Sequence, residues 1–395
     1  MPRGALRNRG RYLLAGLALL GGLWAWREWW GRAPARPSTH GQVSPLRPPA
    51  PHTGSSRPAV PGCFTPVQAS AAPSPPAGLS GRLGLWVAEY DPASARVLRA
   101  VARDPDGLYP LASSYKQAVL WALLRAVDAG QLRLNERFDV TRGSQSLGDY
   151  PFDGSDVRSL MARMIHNSDN TATDILHRRV GLEAVQAVAD RLGLCRTRLI
   201  LPTKDWWVAQ GGLDPAFPGA QSFMTADPAG RDRIARQLDN AARGLRADTV
   251  QRHLDDYLEH RYDPAADLGT HNVSTPAEFG QLIAQEFLKP GLSAQSRAIQ
   301  REVMATGFGR TRLDFKTAEF GGKGGNGWRI LTMTGYAVTP DGHHLVYVFM
   351  QHGADQTYTL PKNRLAFRWV NAAVQDLLRG AHEQAAAKPA APSTP

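Results

Sequence analysis

The sequence predicts an α/β domain whose sheet is assembled from both ends of the chain, with helices filling the middle. Two observations carry this. Near the start of the ordered region, Arg82–Tyr90 alternates like a strand, Asp91-Pro92 turns, and Arg96–Arg103 pairs back. Near the end, Trp328–Val338 and His344–Met350 flank Pro340-Asp341-Gly342, a strong turn signal. Between them the hydrophobic period is helical.

The elements follow in order. Order is expected from near Gly81, and Asp104-Pro105-Asp106-Gly107 is a second turn. A helix is expected from about Ser113 to Ala129. Its apolar residues, Ala118 to Leu120 and Ala122 to Leu124, cover most of its circumference, so it should be buried. Gly130 suits its C-terminus. Asp156–Val180 reads as helix with a break around His166–Asn170, and Leu182–Leu192 as another. Residues 203–230 are rich in Gly, Pro and Trp with little periodicity, whereas 230–262 read as helix. Thr275-Pro276 opens a helix through Leu288, with proline near the first turn. Ser293–Met304 and Leu365–Leu378 complete the set, and no internal repeat is visible.

The chain of 395 residues is 43% hydrophobic, enough for a substantial core, and carries a net charge of +11. Residues 1–80 hold nine arginines and one acid, Glu28, and so account for +8 of that charge. No basic stripe with interleaved aromatics occurs in the remainder, which argues against a nucleic-acid partner. Arg3, Arg7, Arg9 and Arg11 precede an uncharged run from Tyr12 to Trp26, closed by Arg27 and Glu28. This is an export signal pattern. Residues 1–32 read either as an uncleaved membrane anchor, the preferred reading, or as a cleaved signal peptide. Both place the domain in the cell envelope outside the cytoplasm. Residues 33–80 hold twelve of the 29 prolines and read as a disordered tether. The folded body is expected over 81–382, as a monomeric domain, with a disordered tail over 383–395. Cys63 and Cys195 make no disulfide framework; an oxidising compartment would allow a bridge, and nothing in the sequence requires one. No Cys/His spacing resembles a metal site, and no cofactor is implied.

Three short segments carry chemistry. Ser113-Ser114-Tyr115-Lys116 is followed by Ser168-Asp169-Asn170 and later by Lys323-Gly324-Gly325. In order and type they resemble the Ser-x-x-Lys, Ser-Asp-Asn and Lys-Thr-Gly elements of class A β-lactamases and penicillin-binding proteins. The segment Met164–Ile175 and the hairpin-plus-helix C-terminus are similar to class A enzymes as well. The resemblance spans residues 81 to about 381. It implies a β-lactamase/transpeptidase-like fold: an antiparallel sheet with packed helices, a mainly helical subdomain, and a site between them. Gly324 departs from the pattern, standing where threonine is expected.

The residue types fit acyl transfer. Serine needs a base to become a nucleophile. Lys116 lies at i+3 from Ser113 on one helix face, whereas from Ser114 it lies at i+2, off the face. A lysine is a base only when neutral, and burial beside a second cation, Lys323, favours that. Ser168 can relay a proton to a leaving nitrogen, and Asn170 can hold a substrate amide. Glycines at 324 and 325, expected just before a strand, let a substrate lie against its edge. The Ser113 and Asn326 N–H groups would form the oxyanion hole.

In class A enzymes a loop glutamate activates the deacylating water. Here Thr197-Arg198-Leu199 resembles the start of that loop, which continues to Asp205 without a glutamate. Thr203 takes the glutamate's place. Asp205 is the candidate deacylation base, followed by Asp214. The leading expectation is a serine hydrolase that opens β-lactam rings through a Ser113 acyl-enzyme, with slow deacylation. The alternatives are a D,D-peptidase-like penicillin-binding protein acting on cell-wall peptides, and a non-catalytic binding protein of the same fold.

Overall fold

The computed structural model of the chain describes residues 62–357 and 360–386. The expected N-terminal anchor and most of the proline-rich tether lie outside the described residues, as does the tail beyond 386. Strands β1 (Ser70–Ala71), β2 (Arg82–Tyr90) and β3 (Val97–Arg103) open the fold. A short β4 (Tyr109–Pro110) leads through a 3-10 turn, Ala112–Tyr115, into helix α1 (Lys116–Asp128). A small ribbon of β5 (Arg137–Phe138) and β6 (Ser155–Asp156) precedes α2 (Val157–His166), α3 (Asn170–Val180) and α4 (Leu182–Asp190). The stretch of poor periodicity forms α5 (Thr203–Gln210) and α6 (Ala220–Thr225). The helix expected over 230–262 is two, α7 (Pro228–Gly244) and α8 (Ala247–His260), followed by α9 (Pro264–Thr270). Then come β7 (Val273–Ser274), which pairs with β4, α10 (Pro276–Leu288) and α11 (Ala294–Ala305). Strands β8 (Glu319–Gly327), β9 (Ile330–Val338) and β10 (His344–His352) and helix α12 (Leu360–Ala386) close the chain.

The sheet order is β1-β3-β2-β10-β9-β8, so β2 from the start of the domain and the last strand, β10, pair at its centre. All pairings are antiparallel except that of the two-residue β1 with β3. Central strands are buried on both faces, and their period of two sorts side chains between two cores. Trp86, Ala88, Val346 and Val348 face the large core shared with α1 and α10. Leu85, Val87, Tyr347 and Phe349 face a second core under α12, built on Phe367, Trp369 and Val370.

Local chemistry sets the helix starts that matter for the site. Asp156 caps α2 through the Ser159 N–H at 2.8 Å, and Asp169 caps α3 through the Ala172 N–H at 2.8 Å. Such caps contribute about 1 kcal/mol each. The break between α2 and α3 therefore falls where the sequence placed it, at 167–169.

Three expectations shift. Order does not begin at Gly81: residues 62–80 pack on the body. β1 extends the sheet, Trp369 donates to the Pro73 carbonyl at 2.7 Å, and Cys63 forms a disulfide with Cys195. A proline-rich segment needs no core of its own when the domain supplies partners for its backbone. Lys323-Gly324-Gly325 lies inside β8 rather than before a strand. With five glycines in nine residues, β8 has no apolar alternation to read, and its register against β9 holds it in place. Helix α12 runs to Ala386, past the expected boundary at 382.

Candidate active site

The site forms where the start of α1, the α2–α3 break and the edge strand β8 converge. Ser113 sits in the 3-10 turn, directly after Ala112, whose φ of 44° is left-handed and costly for a residue with a Cβ. Ser168 is held in the same region, at φ 56°. Tertiary packing over-determines both positions. In a 3-10 turn residues i and i+3 eclipse, which sets Lys116 on the same face as Ser113.

The two candidate serines part here. Ser114 is fully buried, and its hydroxyl is taken by the Lys323 carbonyl at 3.1 Å and the Thr332 hydroxyl at 2.7 Å. Ser113 is half-buried. The strand reaches it through Gly325: a Cβ there would stand 2.6 Å from the Ser113 nitrogen and 2.8 Å from the Ser114 nitrogen. Only glycine permits that approach. Asn326 follows on the same edge, half-buried.

Both lysines are removed from water. Lys116 is 0% and Lys323 3% exposed. The Lys116 amine lies 2.7 Å from the Ser168 carbonyl, 2.7 Å from Asn170 Oδ1 and 3.3 Å from Ser168 Oγ. The Lys323 amine lies 2.9 Å from Ser168 Oγ and 2.6 Å from the Gly324 carbonyl. The Ser168 hydroxyl thus stands between two amines. Burial pulls Lys116 down to about 7, with the Asp174 and Asp169 charges holding it up. Lys323 falls well below its usual value through burial and then through the Lys116 charge. The Lys116 amine is therefore in part neutral near physiological pH, and burial is the cause. Asn170 is oriented by donating to the Leu147 carbonyl at 3.0 Å.

Ser113, Lys116, Ser168, Asn170, Lys323, Gly325 and Asn326 therefore meet in one place. Asp205 does not join them. It is 0% exposed on α5, paired with Arg178 at 3.0 Å, and Arg178 also binds Asp239 at 2.5 Å. Burial pushes the Asp205 carboxyl well above the usual range. Asp214 is likewise consumed, accepting from the Ala216 N–H and the Gln237 amide. Thr203 is buried, and its hydroxyl donates to Asp174 Oδ1 at 2.5 Å.

Sequence reasoning missed Asp174. It lies one helical turn after Asn170 and accepts the Thr203 and Lys204 N–H groups, at 2.6 and 2.9 Å, which anchors the start of α5. Its i, i+4 relation to Asn170 was the available signal. Thr332 and Thr334 were also missed. They stand opposite Gly325 and Lys323 across the β8–β9 ladder and fix the strand by hydrogen bonds to the Leu111 and Lys323 carbonyls.

The three sequence segments are thus brought together at one cleft. A model of the β-lactamase enzyme family matches residues 78–376, and the chain belongs to that family. Among solved structures it is similar to a β-lactamase from Xanthomonas campestris pathovar campestris. That match has 18% identity, covers 76% of this chain and 93% of the other, and has a TM-score of 0.53. It is also similar to the reconstructed class A β-lactamase of the last common ancestor of Gram-negative bacteria. There the identity is 20%, the coverage 75% and 94%, and the TM-score 0.51. At such identity the likeness is one of fold, and it agrees with the β-lactamase-like α/β architecture expected from the sequence.

Proposed function

We propose that the protein is a β-lactamase-like serine hydrolase in which Ser113 forms an acyl-enzyme with β-lactams. Neutral Lys116 takes the Ser113 proton, and Ser113 Oγ attacks the ring carbonyl. The Ser113 and Asn326 N–H groups receive the oxyanion. As the carbonyl re-forms, the C–N bond breaks. The ring nitrogen takes the Ser168 proton, and the lysine amines return one to Ser168. The observation that carries this reading is the Ser168 hydroxyl, 3.3 and 2.9 Å from two buried amines.

Release of the acyl group needs a carboxylate that can activate water. Asp205 and Asp214 are engaged elsewhere, and Asp174 spends its oxygens on α5. Deacylation is therefore slow. This favours, as a second reading, a penicillin-binding protein acting on cell-wall peptides. The arginine-flanked N-terminal run supports export with membrane anchoring. The Cys63–Cys195 bridge supports an oxidising compartment.

The test is mass spectrometry of the protein after incubation with a penicillin. The expected result is a stoichiometric adduct of one intact penicillin on the peptide carrying Ser113, persisting for minutes or longer. No adduct, or one mapped to Ser114 or Ser168, overturns the assignment. No adduct at all would leave the non-catalytic binding reading in its place.

A further inference from the structure

The edge of β8 beside Ser113 is walled by apolar atoms where it could have carried a polar side chain. A Cβ at Gly324 would meet Phe308 Cδ1 at 3.3 Å and Met333 Sδ at 3.4 Å. Phe308 is 41% exposed, a large fraction for a phenylalanine, and its ring is propped edge-on by Phe367 at 5.9 Å. The segment carrying it lies close against the strand: a Cβ at Gly307 would stand 1.7 Å from the Gly322 carbonyl oxygen. The same segment reaches the helical side of the cleft, where His166 contacts the Thr306 carbonyl at 3.1 Å. His166 is two residues from Ser168, so the segment carrying Phe308 runs from the β8 edge to the helical side of the cleft. The loop whose Leu147 carbonyl holds Asn170 exposes two further aromatics, Tyr150 and Phe152.

The amine of this edge is turned away. The Lys323 amine is directed to the Ser168 hydroxyl and the Gly324 carbonyl, leaving 3% of the residue exposed. Gly324 adds no hydroxyl. The atoms nearest a Cβ at Gly324 are Phe308 Cδ1, Met333 Sδ and the Thr332 carbonyl oxygen, none of them a partner for an anion, and a desolvated anion without a partner is disfavoured.

We propose that the acyl donor this site prefers carries an uncharged, apolar group, not an anion, where it crosses Gly324, and that Phe308 is the specificity-determining residue. The proposal rests on the Ser113 acyl-enzyme and names its substrate class. The donor's apolar face would cover the exposed Phe308 ring, while its carbonyl meets Ser113.

A matched pair of probes tests it: benzylpenicillin and its methyl ester, which share ring and acyl carbon and differ in charge. Acylation of Ser113 in the full chain is followed by mass spectrometry. The ester is expected to react faster than the acid. Phe308→Ala should slow the ester by about tenfold, the scale of a lost hydrophobic contact, while the acid changes by about twofold or less. Phe308→Lys should reverse the preference. Faster reaction of the acid with the unmodified protein overturns the proposal, as does an ester-to-acid ratio unmoved by Phe308→Ala. So does an acid reaction that is lost on Arg310→Ala, which would make the nearby exposed Arg310 an anion partner. Failure of both probes to label Ser113 overturns the acyl-enzyme reading itself. Preference for the acid leaves that reading standing and removes only this one.

Discussion

The start of α1 and the start of α5 both gather charged groups out of water, yet they use them in opposite ways. At α1, Lys116 and Lys323 share one small hydroxyl, Ser168, and no carboxylate is hydrogen-bonded to either amine among the described residues. At α5, Asp205 and Asp239 meet Arg178, and Asp174 accepts three backbone or hydroxyl donors from Thr203 and Lys204. The first cluster is left with displaced proton affinities and an accessible serine. The second has paired its charges and holds a loop in shape. Catalytic potential here follows incomplete pairing beside a cleft, not the presence of a carboxylate in the expected loop.

The largest effect that would break this contrast is at Ser113. Ser113→Ala should abolish covalent penicillin labelling, whereas Ser114→Ala should retain it, because the Ser114 hydroxyl braces β8. Intact-protein mass spectrometry decides between them. Asp205→Ala should act on stability instead. Breaking a buried pair leaves Arg178 short of a partner and costs about 3–5 kcal/mol. Denaturant melts would show this loss. A specific lengthening of the acyl-enzyme lifetime without it would return Asp205 to the chemistry.

The N-terminal segment offers a third test. A chain beginning at Ala77 keeps everything from the expected start of order near Gly81. It would lose β1 and the bridge that closes 132 residues of sequence. A lowered melting temperature is expected, with about 2–4 kcal/mol lost from the disulfide alone. A chain beginning at Gly62 should keep full stability, and equal melting of the two would show that the segment adds nothing.

The lysine pair predicts a pH profile. Lys116 must be neutral to accept a proton, so acylation should fall about tenfold per pH unit below its value of about 7 and level off above it. Lys323→Ala opens the buried pair to water, which raises the Lys116 proton affinity and moves the limb upward. An unmoved limb would uncouple the two amines. The smallest effect concerns release. Thr203→Glu alone sets a second carboxylate against Asp174 and should destabilise the loop. With Asp174→Asn added, it should shorten the lifetime of the adduct, read by the decay of its mass peak.

Much of the site was legible because its chemistry rests on local spacing. Ser113 and Lys116 are one turn apart, Ser168 and Asn170 mark a capped helix break, and the strands at the two ends of the domain announce themselves by alternation. What the spacing could not reach was every feature decided by a distant partner. β8 is a strand because β9 pairs with it, despite five glycines. Residues 62–80 are ordered because the sheet, Trp369 and Cys195 receive them. Asp205 looked available in a list of carboxylates and is buried on Arg178. The sequence by itself determined which residues could do acyl transfer and the order of the elements that carry them. The tertiary structure alone decided which serine is left accessible, which carboxylates are consumed, and how far two amines are stripped of water. Burial and pairing are properties of groups brought together across the chain, and no local pattern encodes them.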